Sequence, residues 1–200
     1  MRNIRKRLFA LASVLHPIRL PNRILNRNGE ILLHVGDIPI WDFPRMMRLI
    51  KKIRPEILVH TGDMVDNLKV SRKPEEVPAY KKYAKKLIKH IEKYATETYI
   101  VPGNNDLEDF LAESVTKTRI IPANTCIEIR GLPCLLCHRV LDIDGEAKFY
   151  FYGHGPTGDT HSFSENGKYY SNVFFAPAVL FPDSEEMIQL AGFKRRNFKK

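Results

Sequence analysis

Cysteine is scarce in this chain of 200 residues: there are three, at Cys126, Cys134 and Cys137. An odd, small set does not supply a disulfide framework and fits a reducing, cytoplasmic setting. No apolar run approaches the ~20 residues a membrane-spanning helix needs. Near the start, Arg2, Arg5, Lys6 and Arg7 precede the apolar stretch Leu8 to Leu15. His16-Pro17-Ile18-Arg19 cuts that stretch short and no small-residue cleavage site follows, which speaks against an export signal. Internal repeats, low-complexity segments and a convincing linker are also missing.

Acidic residues are missing from both ends. Residues 1–29 carry seven basic side chains and no acid, and residues 193–200 carry five and no acid. The formal net charge of +9 therefore misleads. Those ends hold 12 of the 32 basic residues, leaving 20 basic against 23 acidic between them. The body is faintly acidic. The expected organisation is a basic extension over 1–29, one domain over 30–192 and a basic tail over 193–200. Such ends are ordinary solubilising segments, or they attract phosphate backbones of nucleic acid or an anionic membrane surface. What remains is a soluble globular composition, 44% hydrophobic and 28% charged, in a length that suits one domain with its own core.

Periodicity divides the body in two. Residues 31–36, 57–61 and 98–102 read as buried strands. They alternate with helices over Asp42–Ile53, Val77–Ala95 and Leu107–Val115. In the second helix Val77, Tyr80, Ala84, Leu87, Ile88, Ile91 and Tyr94 form one stripe, so its lysine run is a solvated face. Residues 68–78 read as a polar loop or entry turn. From residue 118 the pattern is mostly strand, over 118–121, 126–130, 133–138, 148–152, 169–176 and 187–190. A sheet of parallel character followed by a mainly antiparallel one predicts an α/β (α+β) fold of two packed sheets with helices outside.

The chemistry collects where the strands end. Gly36-Asp37, Gly62-Asp63-Met64-Val65-Asp66, Gly103-Asn104-Asn105-Asp106 and Gly153-His154 each follow an apolar run. A sheet delivers ligands to one edge in this way. Asp37, Asp63, Asn104, His138 and His154 together offer carboxylate, amide oxygen and imidazole. That donor set suits manganese, iron, zinc or nickel. Singly, each residue is an ordinary turn or cap residue; the ordered set is the signal.

In that order the motifs resemble those of the calcineurin-like metallophosphoesterases: D-x-H, G-D-x-x-D, G-N-H-D/E, a lone His, and G-H-x-H. The resemblance spans residues 31 to about 180. It implies a four-layer αββα sandwich of two mixed sheets. It also implies two divalent metals about 3.5–4 Å apart that clamp a phosphate ester and activate water for in-line attack on phosphorus. Carried over by position, Asp63 is the shared ligand, and Asn104, His138 and His154 complete one metal's shell. Asp37 begins the other, and Asn105 stands at the position that protonates the leaving group.

Three departures interrupt that pattern, two of them at one metal. Pro39 stands in place of the His of D-x-H, and Pro156 in place of the second His of G-H-x-H. Both losses strip the same metal, leaving it Asp37 and Asp63, with Asp42 and His161 as neighbouring substitutes. Asn105 replaces a histidine, and an amide does not titrate near neutral pH. The reading is a phosphomonoesterase or phosphodiesterase of weak or narrow activity, holding one or two ions, with manganese the leading choice. The rival is a catalytically impaired binding module whose basic ends dock nucleic acid or an anionic membrane. Cys134-Leu135-Leu136-Cys137-His138 also matches the C-x-x-C-H haem-attachment pattern, and the three cysteines suggest a thiolate zinc site; burial as small hydrophobes competes with both.

Overall fold

The computed structural model describes residues 17–154, 162–174 and 176–190. Its first sheet contains β1 (Leu32–Val35), β2 (Ile57–His60), β3 (Glu97–Ile100) and β4 (Arg119–Ile120), which run parallel. The later strands β10 (Ala178–Phe181) and β11 (Glu186–Gln189) add antiparallel beyond β1. The order is β11-β10-β1-β2-β3-β4. β1 and β2 are buried at every position, as a sheet covered on both faces requires. Three helices, α2 (Phe43–Ile53), α3 (Val77–Tyr94) and α4 (Glu108–Ser114), connect these strands; a short turn, α1 (Asn22–Leu25), precedes them.

The two-residue period of the strands divides the core. Leu33, Val35, Leu58 and Ile100 pack with Leu49, Ile50, Leu87 and Ile88 of the helices. Leu32, Ile57, Val59 and Tyr99 turn the other way, onto Cys134, Leu136, Phe149 and Phe151 of the second sheet. That sheet comprises β5 (Thr125–Ile129), β6 (Leu132–Arg139), β7 (Phe149–Gly153), β8 (Phe163–Glu165) and β9 (Lys168–Asn172), in the order β5-β6-β7-β9-β8. Two hairpins turn through Arg130-Gly131 and Asn166-Gly167, each pair at positive φ, the backbone of a type I′ turn. The two packed mixed sheets expected from the sequence are therefore both present. Over the outer face of the second sheet, Val140, Ile143 and Ala147 cover Leu135, Cys137, Tyr150 and Tyr152. No α-helix lies there among the described residues, in keeping with the short connection from His138 to His154.

Two expectations are corrected. The second sheet is not mainly antiparallel: β6 pairs parallel with β7, and β7 parallel with β9. The correction matters for the site. β1, β2 and β3 end at a common edge because they run parallel, and β6 and β7 likewise end together. An antiparallel β6/β7 pair would have put His138 and His154 at opposite ends of the sheet. A second correction concerns 169–176: β9 ends at Asn172, and the chain crosses to the other sheet before β10 begins at Ala178.

The described part of the basic N-terminal segment packs on the domain. Ile24 is buried in the helix-side core. Arg23 pairs with Glu186 at 2.7 Å, and Arg27 donates to the Ile53 carbonyl and to Glu56. Two of the basic side chains are thus engaged in holding the fold. Residues 1–16 and 191–200, which include most of the basic ends, lie outside the described residues.

Candidate metal centre

Asp37, Asp63, His138 and His154 converge: each offers a ligand atom, and all four atoms lie within 4.8 Å of one another. Asp37 and Asp63 leave the parallel strands of the first sheet, whereas His138 is the last residue but one of β6 and His154 follows β7. Three of the four, Asp37, Asp63 and His154, adopt φ of 49°, 50° and 51°. Left-handed backbone is disfavoured for residues with a Cβ, and it collects where the surroundings force it for a purpose.

Close approach explains the glycines of the motifs. A Cβ on Gly103 would sit 2.5 Å from Asp63 Oδ1, and one on Gly153 would sit 2.2 Å from Asp37 Oδ2. Each glycine leaves room for a carboxylate arriving from another strand. The Gly153 edge holds Asp37 further, since the His154 N–H donates to Asp37 Oδ2 at 2.9 Å.

Hydrogen bonds fix what the donors present. His138 Nδ1 lies 2.7 Å from the Thr61 carbonyl oxygen. A carbonyl only accepts, so Nδ1 carries a proton and Nε2 is the nitrogen that faces the cluster. Asn104 Oδ1 lies 3.1 Å from that Nε2, and Asp63 Oδ1 lies 3.7 Å from it. Asn104 Oδ1 also only accepts, so Nε2 either donates to it or yields that place to a cation. Asp63 is 1% exposed and His138 4%. His154 titrates below the usual imidazole range, first because of burial and then because of His138.

Donors reach both oxygens of Asp63. Asn105, itself buried, gives its backbone N–H to Oδ1 at 3.0 Å and its side-chain Nδ2 to Oδ2 at 2.6 Å. The Lys69 ammonium stands 3.7 Å from Oδ2. Asn105 is therefore turned to the Asp63 carboxylate. Pro39 is buried and brings no donor atom. Of its possible substitutes, Asp42 is not among the four clustered residues, and His161, like Pro156, lies outside the described residues.

Sequence reasoning missed two participants. Asp106 closes the G-N-N-D turn on itself and on its neighbours. Its Oδ2 accepts the Gly103 N–H at 2.8 Å, and its Oδ1 accepts the Met64 N–H and the Tyr80 hydroxyl, each at 2.9 Å. It thereby ties the turns bearing Asp63 and Asn104 to α3. Burial, then the charge of Asp63, pushes Asp106 up to about 7. Its presence in the motif was the available signal. Lys69, in a loop read only as polar, gave none. The cysteine readings are disposed of by the strand period. Cys134 packs between the sheets and Cys137 on the opposite face, so the two cannot grip one haem or one zinc ion together. All three cysteines are free, and burial pushes Cys134 up to about 12.

The donors present fit one borderline divalent ion well: two imidazoles, two carboxylates and an amide oxygen at the edge of the cluster. Two mixed sheets sharing an edge so furnished define an α/β protein with a metal-type centre. The sequence pattern of the calcineurin-like phosphoesterases matches residues 31–188. The chain belongs to that family, whose members use divalent metals on phosphate esters. YfcE, a phosphoesterase from E. coli, has the same fold at 14% identity, with a TM-score of 0.51, over 79% of this chain and 96% of its own. Another solved structure aligns at 13% identity, with a TM-score of 0.56, over 82% of this chain and 100% of its own. No curated protein matches the sequence.

Proposed function

We propose that this chain is a metal-dependent phosphoesterase that works with a single ion, with weak or narrow activity. The observation that supports the reading is the convergence of Asp37, Asp63, His138 and His154 on one point, with the Asn105 side chain and the Lys69 ammonium already engaging Asp63 Oδ2. Asp63, His138 and His154 would hold the ion, with Asn104 adding its amide oxygen and Asp37 closing the cluster. When bound, the ion supplies Lewis-acid polarisation of a phosphoryl oxygen and activation of water. Thr61 keeps the proton on His138 Nδ1, so Nε2 stays available. Asn105 orients Asp63 and cannot protonate a leaving group. General acid catalysis is worth about 10²–10⁴-fold, so substrates with good leaving groups are favoured. Manganese is the metal we expect, in a cytoplasmic setting.

Docking of nucleic acid or an anionic membrane through basic ends has less support, because Arg23 and Arg27 are both committed to intramolecular partners. Among the described residues no helix is long and apolar enough to cross a membrane. The deciding experiment is elemental analysis of protein purified without chelator, coupled to hydrolysis of bis-p-nitrophenyl phosphate in added Mn²⁺. About one ion per chain with slow turnover is the expected result. No bound metal and no hydrolysis with any divalent ion sinks the proposal.

A further inference from the structure

Lys69 belongs to no motif, yet its ammonium reaches a carboxylate that is 1% exposed. The chain takes several steps to put it there. The Lys69 N–H donates to Glu76 Oε2 at 2.8 Å, and the Lys73 N–H returns to the Lys69 carbonyl at 2.9 Å. The loop is also tied to the segment around Pro39. The Asp66 N–H donates to the Ile38 carbonyl at 3.1 Å, and Asn67 Oδ1 accepts the Ile40 N–H at 2.7 Å. Lys69 therefore approaches the centre from the side where a metal-binding histidine is replaced by proline. Its Nζ lies 3.1 Å from Asp66 Oδ1 and 3.7 Å from Asp63 Oδ2, and its side chain is 43% exposed. An ammonium has three N–H bonds. Two can point at these carboxylates, and the third remains for a ligand entering from solvent.

The donor says what that ligand is. Asp37 and Asp63 together match the charge of one divalent ion, and Asp66 at 3.1 Å matches that of Lys69, so the centre carries no surplus positive charge. What Lys69 adds beside Asp63 is an ammonium N–H open to solvent, which only an acceptor such as a phosphate oxygen can use. We propose that Lys69 is a substrate-binding residue that takes over the anion-holding duty of the eroded metal position, donating to a non-bridging oxygen of a phosphate ester. The inference rests on the one-ion reading above.

The test uses the full chain loaded with Mn²⁺ and inorganic phosphate as the probe, followed by calorimetry. Lys69→Met is expected to weaken phosphate binding about tenfold to a hundredfold, the range of a hydrogen bond to a charged group. Metal per chain stays unchanged, and Lys69→Arg recovers most of the affinity. Phosphate binding by Lys69→Met equal to that of the parent overturns the proposal. So does loss of metal alongside phosphate, because Lys69 would then serve Asp63 and not the anion. If the parent protein takes up no metal, the one-ion reading fails by itself. Phosphate titration in chelator then decides Lys69 separately: a Lys69-dependent affinity upholds the anion site, and its absence removes it.

Discussion

The two oxygens of Asp63 live in different surroundings. Oδ1 accepts the Asn105 backbone N–H and lies 3.7 Å from His138 Nε2, beside the amide oxygen of Asn104. Oδ2 faces the Asn105 amide N–H and the Lys69 ammonium. One side faces the two imidazoles, and the other carries a cation that is covalently part of the chain. On the proposed one-ion reading, a carboxylate shared by two ions in the family pattern is shared here by one ion and a protein cation. Loss of ligands at Pro39 is thus matched by a change of partner at the same carboxylate. The centre is asymmetric by construction and not merely incomplete.

The largest effect should come from emptying the Oδ1 side. His154→Ala is expected to remove most bound metal and to cut model-diester hydrolysis by more than about 100-fold, beyond the cost of losing a supporting partner alone. Metal content unchanged in that variant would break the comparison outright. Next, Pro39→His with Pro156→His should restore donors on the other side. Elemental analysis should then rise from about one ion per chain towards two, with faster hydrolysis; a stoichiometry that stays put would show that Lys69 and Asn105 exclude an ion regardless of donors. Gly103→Ala should cost about 1–3 kcal/mol in denaturant unfolding and lower metal affinity, because the added methyl must displace Asp63.

The smallest effect on the centre, and so the control, is Glu92→Gln. Burial pushes Glu92 up, but the Lys117 N–H, the Thr116 hydroxyl and N–H, and the Thr118 N–H outweigh it and bring it down to about 2. These contacts precede β4, at the sheet edge away from the metal-type centre. A folded carboxylate depressed below its unfolded value of 4.5 contributes stability above that value, and the contribution is lost as pH falls through about 2. Glu92→Gln should therefore lose about 2–3 kcal/mol at neutral pH and show a flatter acid limb, with metal per chain unchanged.

Much of this was legible in the sequence, for physical reasons that can be named. Asp37, Asp63 and His154 stand out because each follows a run of buried strand residues and a glycine. The helices were readable from their apolar stripes: α2 and α3 begin and end within a residue of the positions their spacing predicts. What escaped detection is equally specific. β8 is three exposed residues at a sheet edge and has no burial pattern to read. β10 was hidden because Phe174 to Phe181 forms one apolar stretch, although Pro177 marks the crossing between sheets. The parallel pairing of β6 and β7 was missed because their connection carries a single 3-10 turn where such crossovers usually carry a helix. Lys69 was invisible because its placement depends on the hydrogen bond from its backbone N–H to the Glu76 carboxylate, which composition does not record.

The left-handed backbone at Asp37, Asp63 and His154 has a practical corollary. Each such residue carries a conformational cost of about 1 kcal/mol or more that glycine would avoid. Selection of this chain for thermal robustness alone would therefore favour glycine at those places, and the gain in robustness would erase the centre. A hardened variant should be checked for bound metal before its melting temperature is taken as an improvement.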